Sequence, residues 1–224
     1  MGLAEVQQVL ARLSIDRALR DRFFADPAAT AAEMGLAPGD ARVLAQIPKR
    51  QVEQFADSLR RKRRDQVRRV IPLAARALGR QFAALFDRYL DESPPRGSSA
   101  DIEDAAGFVA AIRRLEGRLE PDWAIDLARY ELARRQSTRA GRLPIVRLFR
   151  FPVARLAARP DPGPLAPRAT IACWWRPSAR ANAWHVAFSS DFLRPLLRSG
   201  RPSDLSLAAK ECGNSSCLRA NLPR

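Results

Sequence analysis

One imidazole, His185, and three thiols, Cys173, Cys212 and Cys217, are all that the chain of 224 residues contains of those two groups. A single histidine cannot supply the multi-histidine sets that hold catalytic zinc or non-haem iron. A Ser-His-Asp triad would rest on His185 alone, which falls in a run of strand-like texture, so the expectation is a structural histidine. Cys212 and Cys217 offer two ligands where a structural zinc site needs four. Neither common glycine-rich phosphate loop is present. The expectation is therefore a chain with no catalytic residues, no metal ligands and no cofactor of its own.

The side chains that can bind rather than react are more plentiful. Between Arg60 and Arg69 seven basic residues face the single acid Asp65. Arginine presents planar donors suited to phosphates and to acidic peptides, which makes Arg60, Arg61, Arg63, Arg64 and Arg68 candidate anion-binding residues. The competing reading is a solvated helix face. No zinc finger, RNP pattern or basic-zipper heptad accompanies the run, so sequence-specific nucleic-acid recognition has no support from motifs. A second candidate is the group Trp174, Trp175 and Trp184 beside Arg147, Arg150 and Arg176, with Trp123 in a preceding helix. Tryptophan and arginine dominate interface energetics, and an exposed sheet edge accepts an added peptide strand. Trp174 and Trp175 are adjacent, so in a strand they point to opposite faces and only one can fill a given core.

Elements that would position these residues follow from periodicity and punctuation. The pattern predicts a first amphipathic helix over 4–13 with Val6, Val9, Leu10 and Leu13 on one side. Asp16 caps a second with Leu19, Phe23 and Phe24, and Asp26-Pro27 opens a third that Gly35 stops. Pro38 opens a fourth, with Val43, Leu44 and Ile47 as its apolar face. The stretch from Phe55 to Leu90 then carries Phe55, Leu59, Val67, Val70, Ile71, Ala74, Leu78, Phe82, Leu85 and Tyr89 at three- and four-residue steps. Pro72 lacks an amide hydrogen, so the stretch either kinks there or divides into two helices. The run 93–99, rich in proline, glycine and serine, reads as a linker.

Helical spacing resumes from Asp101 to Leu115, and Pro121-Asp122 starts a helix in which Trp123, Leu127, Tyr130 and Ala133 or Arg134 share a face. Residues 145–151, 169–175 and 182–188 are rich in branched and aromatic side chains and read as three strands. Four prolines make 159–167 a loop. Asp191 caps a last helix with Phe192, Leu193, Leu196 and Leu197, and the polar remainder from Arg201 reads as a loosely ordered tail. The fold class expected is α+β: an all-helical domain over 1–92, a module of helices and a small sheet over 100–200, and a tail over 201–224.

Net charge is +15 with a pI near 11.3, which implies attraction to something anionic. Arginine-rich composition from end to end is the bland alternative, since the chain holds only three lysines. The first residues form an amphipathic helix rather than a signal peptide, no run of about 18 apolar residues occurs, and the cysteines are too few and too oddly placed for a disulfide framework. A cytoplasmic protein without a membrane span is expected.

The runs Leu19-Arg-Asp-Arg-Phe-Phe-Ala-Asp-Pro-Ala-Ala29, Met34-Gly-Leu-Ala-Pro38, Ser58-Leu-Arg-Arg-Lys-Arg63 and Ile71-Pro-Leu-Ala-Ala-Arg-Ala-Leu-Gly79 resemble the N-terminal helical domain of the HvfC/BufC type. That domain is also described as DNA-binding. The helix beginning Trp123-Ala-Ile-Asp-Leu-Ala-Arg-Tyr-Glu131 and the β region after it extend the likeness to about residues 5–200. The resemblance implies a non-catalytic accessory subunit, similar to that of methanobactin biosynthesis. Such a subunit binds a TIM-barrel, multinuclear iron oxidative enzyme and helps present a ribosomally made precursor peptide to it. The iron would belong to the partner. On that reading Trp123, Arg147, Arg150, Trp174, Trp175, Arg176 and Trp184 carry the partner and peptide contacts, while the basic helix steers an acidic leader. The alternative is a nucleic-acid-binding protein using the helix at 60–69.

Overall fold

A computed structural model of the protein describes residues 3–92, 101–139, 144–158, 165–175 and 184–189. It is an α+β structure: helices through most of the chain, then a small antiparallel sheet. The chain divides into two compact units, residues 1–66 with 83–100, and residues 67–82 with 101–224.

The first unit begins with four short helices, α1 (Leu3–Ile15), α2 (Arg17–Ala25), α3 (Pro27–Glu33) and α4 (Pro38–Ala45). Their ends are set locally. The Leu19 N–H donates to the Asp16 carboxylate at 2.9 Å and the Ala29 N–H to Asp26 at 3.0 Å, satisfying amides that a helix start leaves open. Gly35 closes α3 at φ +76°, a left-handed conformation that glycine adopts without a Cβ clash. Val9, Leu13, Leu19, Phe23, Ala31, Leu36, Ala41, Leu44 and Val52 make the core, with Val6, Leu10, Phe24, Met34 and Ile47 packed at its border. Val43 is 59% exposed, so the buried side of α4 is Ala41 and Leu44, three residues apart, instead of the pair 43 and 44.

The central stretch is three helices. α5 (Lys49–Val70) ends at Ile71, Pro72 takes the first position of α6 (Pro72–Leu78), and Gly79 at φ +53° ends α6 before α7 (Gln81–Glu92). Pro72 therefore separates two helices, and Gly79 adds a second break that periodicity did not reveal. Val67, Val70, Ile71, Ala74, Leu78 and Phe82 are buried as their spacing requires. Phe55 is 53% exposed, and in α7 the buried line is Phe82, Phe86 and Leu90, with Leu85 and Tyr89 only half-buried beside it.

The second unit holds α8 (Asp101–Arg113), α9 (Ala124–Arg139), β1 (Ile145–Phe149), α10 (Val153–Ala158), β2 (Thr170–Trp175) and β3 (Trp184–Ser189). Residues 67–82 group here rather than with the N-terminal helices, because α6 packs on α9 and Phe82 meets Phe108 edge-on at 5.3 Å. The strands pair antiparallel in the order β1-β2-β3. α9 packs against α6, α8, α10, β1 and β2. Over residues 124–133 it is accordingly enclosed on all sides, Ile125, Ala128 and Leu132 as buried as Leu127, Tyr130 and Ala133 of the single face expected, while Arg134 and Arg135 beyond them are exposed. α10 occupies six residues to which no element was assigned from sequence. The expected helix after Asp191 and the tail over 201–224 lie outside the described residues.

Two glycine substitutions test this reading of the breaks. Gly79→Ala places a Cβ at positive φ and is expected to cost about 1–3 kcal/mol in urea denaturation. Gly39→Ala, inside α4 where an added Cβ meets nothing within 4 Å, is expected to stabilise by about 0.5–1 kcal/mol.

Candidate functional site

The basic residues of α5 do not form one face. Successive positions on an α-helix are about 100° apart, so a run from 60 to 64 surrounds the axis. Arg60 pairs with Asp91, and Arg64 lies 3.6 Å from Asp87. Four residues separate the members of each pair on both helices, so an antiparallel ladder absorbs these two arginines. Exposed pairs of this kind contribute about 0.2–1 kcal/mol each. Arg63 is half-buried, and the Arg68 guanidinium stacks 5.6 Å from the centre of the Phe82 ring. Arg61, with Lys62, is exposed.

The sheet has two unlike faces. Alternation along β2 sends Thr170, Ala172 and Trp174 to the α9 side, where they are buried, and Ile171, Cys173 and Trp175 outward. Register extends the outward set into rows: Leu148, Ile171 and Phe188, then Val146, Cys173 and Val186, with Trp175 beyond them at the end of β2. Every residue of these rows is apolar. Leu148 is 62% exposed, Val146 53%, Trp175 48% and Val186 37%. Trp174, only 1% exposed, belongs to the core, so of the adjacent pair only Trp175 can meet a partner through its ring.

The remaining candidates are scattered around the second unit. Arg147 is exposed on the edge strand β1. The Arg150 guanidinium is 3.6 Å from the Asp122 carboxylate and 5.4 Å from the Phe151 ring centre. Trp123 is buried at the start of α9, against an open groove of about 1170 Å³ that Arg76, Arg118, Glu120 and Asp122 also line. Arg176 lies outside the described residues, as does the side chain of Trp184.

Two buried carboxylates, not singled out from sequence, hold the second unit in place. Glu131 receives the Leu73 N–H at 3.0 Å and the Ala74 N–H at 2.9 Å, one on each oxygen, so it caps α6 from α9. Asp126 receives the Arg150 N–H at 2.6 Å and the Phe151 N–H at 3.0 Å on one oxygen and the Arg129 guanidinium at 2.8 Å on the other. Arg129 also donates to the Leu148 carbonyl at 3.0 Å and lies 5.1 Å from the Phe149 ring centre. The signal available was two acids, Asp126 and Glu131, set among the apolar residues Ile125, Leu127, Ala128, Leu132 and Ala133.

His185 sits among rings, 5.2 Å from both Tyr130 and Trp174. Burial, assisted by the positive charge of Arg134, pushes its pKa down to about 4. A triad base needs a carboxylate to hold its imidazolium, and the charge acting on His185 is cationic. Its Nε2 and the Trp174 Nε1 are both buried without a hydrogen-bond partner. Burial pushes Glu131 the other way, up to about 7, against the pull of the two backbone N–H groups and of Arg134 and Arg135. Among the described residues no three His, Cys, Asp or Glu side chains come together as metal ligands, and no helix is long and apolar enough to cross a membrane.

Residues 40–114 match the family model of the SCO6045-like, C-terminal domain. The match runs from α4 through α8, about a third of the chain, and takes in the whole arginine helix. No curated protein matches the chain.

The two perturbed groups give opposite pH dependences. The unfolded chain binds the His185 proton below about 6.5 while the folded chain stays neutral to about 4, so this group's contribution is complete above pH 6.5 and lost as pH falls to 4. Glu131 holds its proton longer when folded, so its contribution is complete below about 4.5 and lost as pH rises through 7. His185→Phe, which keeps the ring packing, should leave stability falling from pH 4.5 to 7. Glu131→Gln should leave stability rising from pH 4 to 6.5, on top of a loss of about 1–3 kcal/mol because its amide presents one oxygen to two N–H donors. Urea midpoints of the three chains across that range check both slopes.

Proposed function

We propose that the protein is a non-catalytic partner subunit that binds a multinuclear iron oxidative enzyme together with a ribosomally made precursor peptide, in the maturation of a peptide natural product. What carries the binding part of this reading is the sheet, with one face closed by α9 and an apolar outer face exposed at Val146, Leu148, Trp175 and Val186. Solvated sheets usually alternate apolar-in with polar-out. An outer face without polar side chains is what a protein contact requires, and the edges β1 and β3 can each accept an extended peptide as a fourth strand. The nature of the partner comes from the resemblance to HvfC/BufC-type proteins in the helical runs and in the Trp123–Glu131 segment. Asp126 and Glu131 of that segment act here on backbone amides, which is a structural task.

Charge supports an acidic peptide. Within the described residues 144–189 the charged side chains are Arg147, Arg150, Arg155 and Arg168, with no carboxylate among them. These arginines make the neighbourhood of the sheet positive, with Asp122 offsetting part of the charge of Arg150, and so favour an anionic partner over a cationic one. The nucleic-acid reading keeps the exposure of Arg61, Lys62, Arg68 and Arg69, and loses some of its density to the α7 carboxylates.

Co-expression with an oxidative enzyme encoded beside this chain should yield a complex that survives size exclusion at micromolar concentration, as interfaces of about 1,600 Å² usually do. Trp175→Ala should weaken it by about 30-fold or more, the loss expected of a buried interface tryptophan. Separate elution of the two native chains would sink the proposal. Titration of random duplex DNA decides the second reading: phosphate binding weakens with a slope of about −0.9 per contacted phosphate in log affinity against log salt, and no binding at low salt removes it.

A further inference from the structure

We propose that Arg69, Arg134 and Arg135 form one anion-binding site in the second unit, which takes the acidic side chains of a bound peptide. The site lies where α5 ends against α9. There the Arg135 guanidinium donates to the Arg69 carbonyl at 3.3 Å, which brings a cation of one helix onto the last turn of the other. Arg134 is its neighbour on α9, and its charge acts on both Glu131 of the same helix and His185 of β3. All three arginines are exposed, and Arg68, with its guanidinium over the Phe82 ring, is a fourth at their border.

Nothing among the described residues neutralises this group. None of the four arginines takes part in an ion pair, either with Asp65, four residues before Arg69, or with Glu131. Glu131 spends one oxygen on the Leu73 N–H and the other on the Ala74 N–H, and burial, which lifts its pKa to about 7, leaves it only part of a full charge at neutral pH. A guanidinium carries five N–H donors, and the Arg69 carbonyl occupies only the Arg135 Nη2 group. The remaining donors suit carboxylates, as Arg60 and Arg64 show by pairing with Asp91 and Asp87. Position favours a peptide over nucleic acid as their source. β3 is an edge strand, where an extended chain can add, and Arg134 acts on His185 from beside it, so a chain lying along that edge brings its carboxylates to these arginines. The inference rests on the peptide-binding part of the reading above and not on the oxidative enzyme.

Titration of the isolated full chain with a fluorescently labelled oligoglutamate at low salt, read by anisotropy, tests the site. Arg69→Gln with Arg134→Gln leaves the donation from Arg135 in place, because its acceptor is a backbone carbonyl, and should weaken binding about ten-fold. Arg113→Gln with Arg114→Gln removes the same charge from exposed positions at the end of α8, and should weaken it less than about two-fold, the effect of net charge alone. All four positions are exposed, so both variants keep the fold. Equal losses from the two pairs would overturn the proposal, and so would native chain that does not bind oligoglutamate at all. Tighter binding of duplex DNA than of oligoglutamate, weakened by the Arg69 and Arg134 changes, would assign the arginines to phosphate and overturn the peptide. The assay contains no enzyme, so its failure leaves the co-expression result untouched, and separate elution of enzyme and chain leaves the titration untouched.

Discussion

The grip of Glu131 on the first turn of α6 is the contact from which the second unit is built. Helix starts leave amide hydrogens without partners, and burying them unpaired costs several times what a hydrogen bond gains. α6 follows directly on Pro72, and the next two amides, of Leu73 and Ala74, are those that Glu131 takes up. The carboxylate can do so only from inside a buried helix, which is why burial lifts its pKa to about 7. α6 is thereby locked onto α9, and α9 in turn carries the sheet and α10 through Asp126, which repeats the device at the turn after β1. The enclosed part of α9, residues 124–133, directs its two carboxylates to other elements' backbones.

The same economy explains part of the arginine excess. A run of seven basic residues in ten repels itself on an isolated helix by a few tenths of a kcal/mol per neighbouring pair. Asp87 and Asp91 relieve the two at 60 and 64, and the Phe82 ring accepts Arg68. Of the seven basic residues Arg61, Lys62, Arg68 and Arg69 are exposed, a smaller set than the residue count suggests.

What could be read from the chain was whatever is settled within four residues. Asp16, Asp26, Gly35 and Pro72 act on amides or dihedrals next to them, and the helices start and stop where those residues say. The parity of Trp174 and Trp175 was legible for the same reason, since adjacent residues in a strand must part. Glu131 and Leu73 are 58 residues apart, and no local pattern announces a cap delivered from that distance. Phe55 fitted the helical spacing of the buried stripe and is nevertheless exposed, because spacing assigns a face but not the length over which something covers it. The six residues of α10 are too few for a period to show.

The two faces of β2 carry the same argument into function. One side chain in each pair is committed to α9: Ala172 and Trp174 are buried and cannot be spared without opening a cavity. Their neighbours Ile171, Cys173 and Trp175 are equally apolar yet face away from that core. A sheet that needed only to fold would have polar residues there at no loss, since the inward set alone supports the packing on α9. Apolar residues on both sides of a three-stranded sheet are the pattern of a sheet that packs on both faces, and here Val146, Leu148, Trp175 and Val186 are exposed on the outer one.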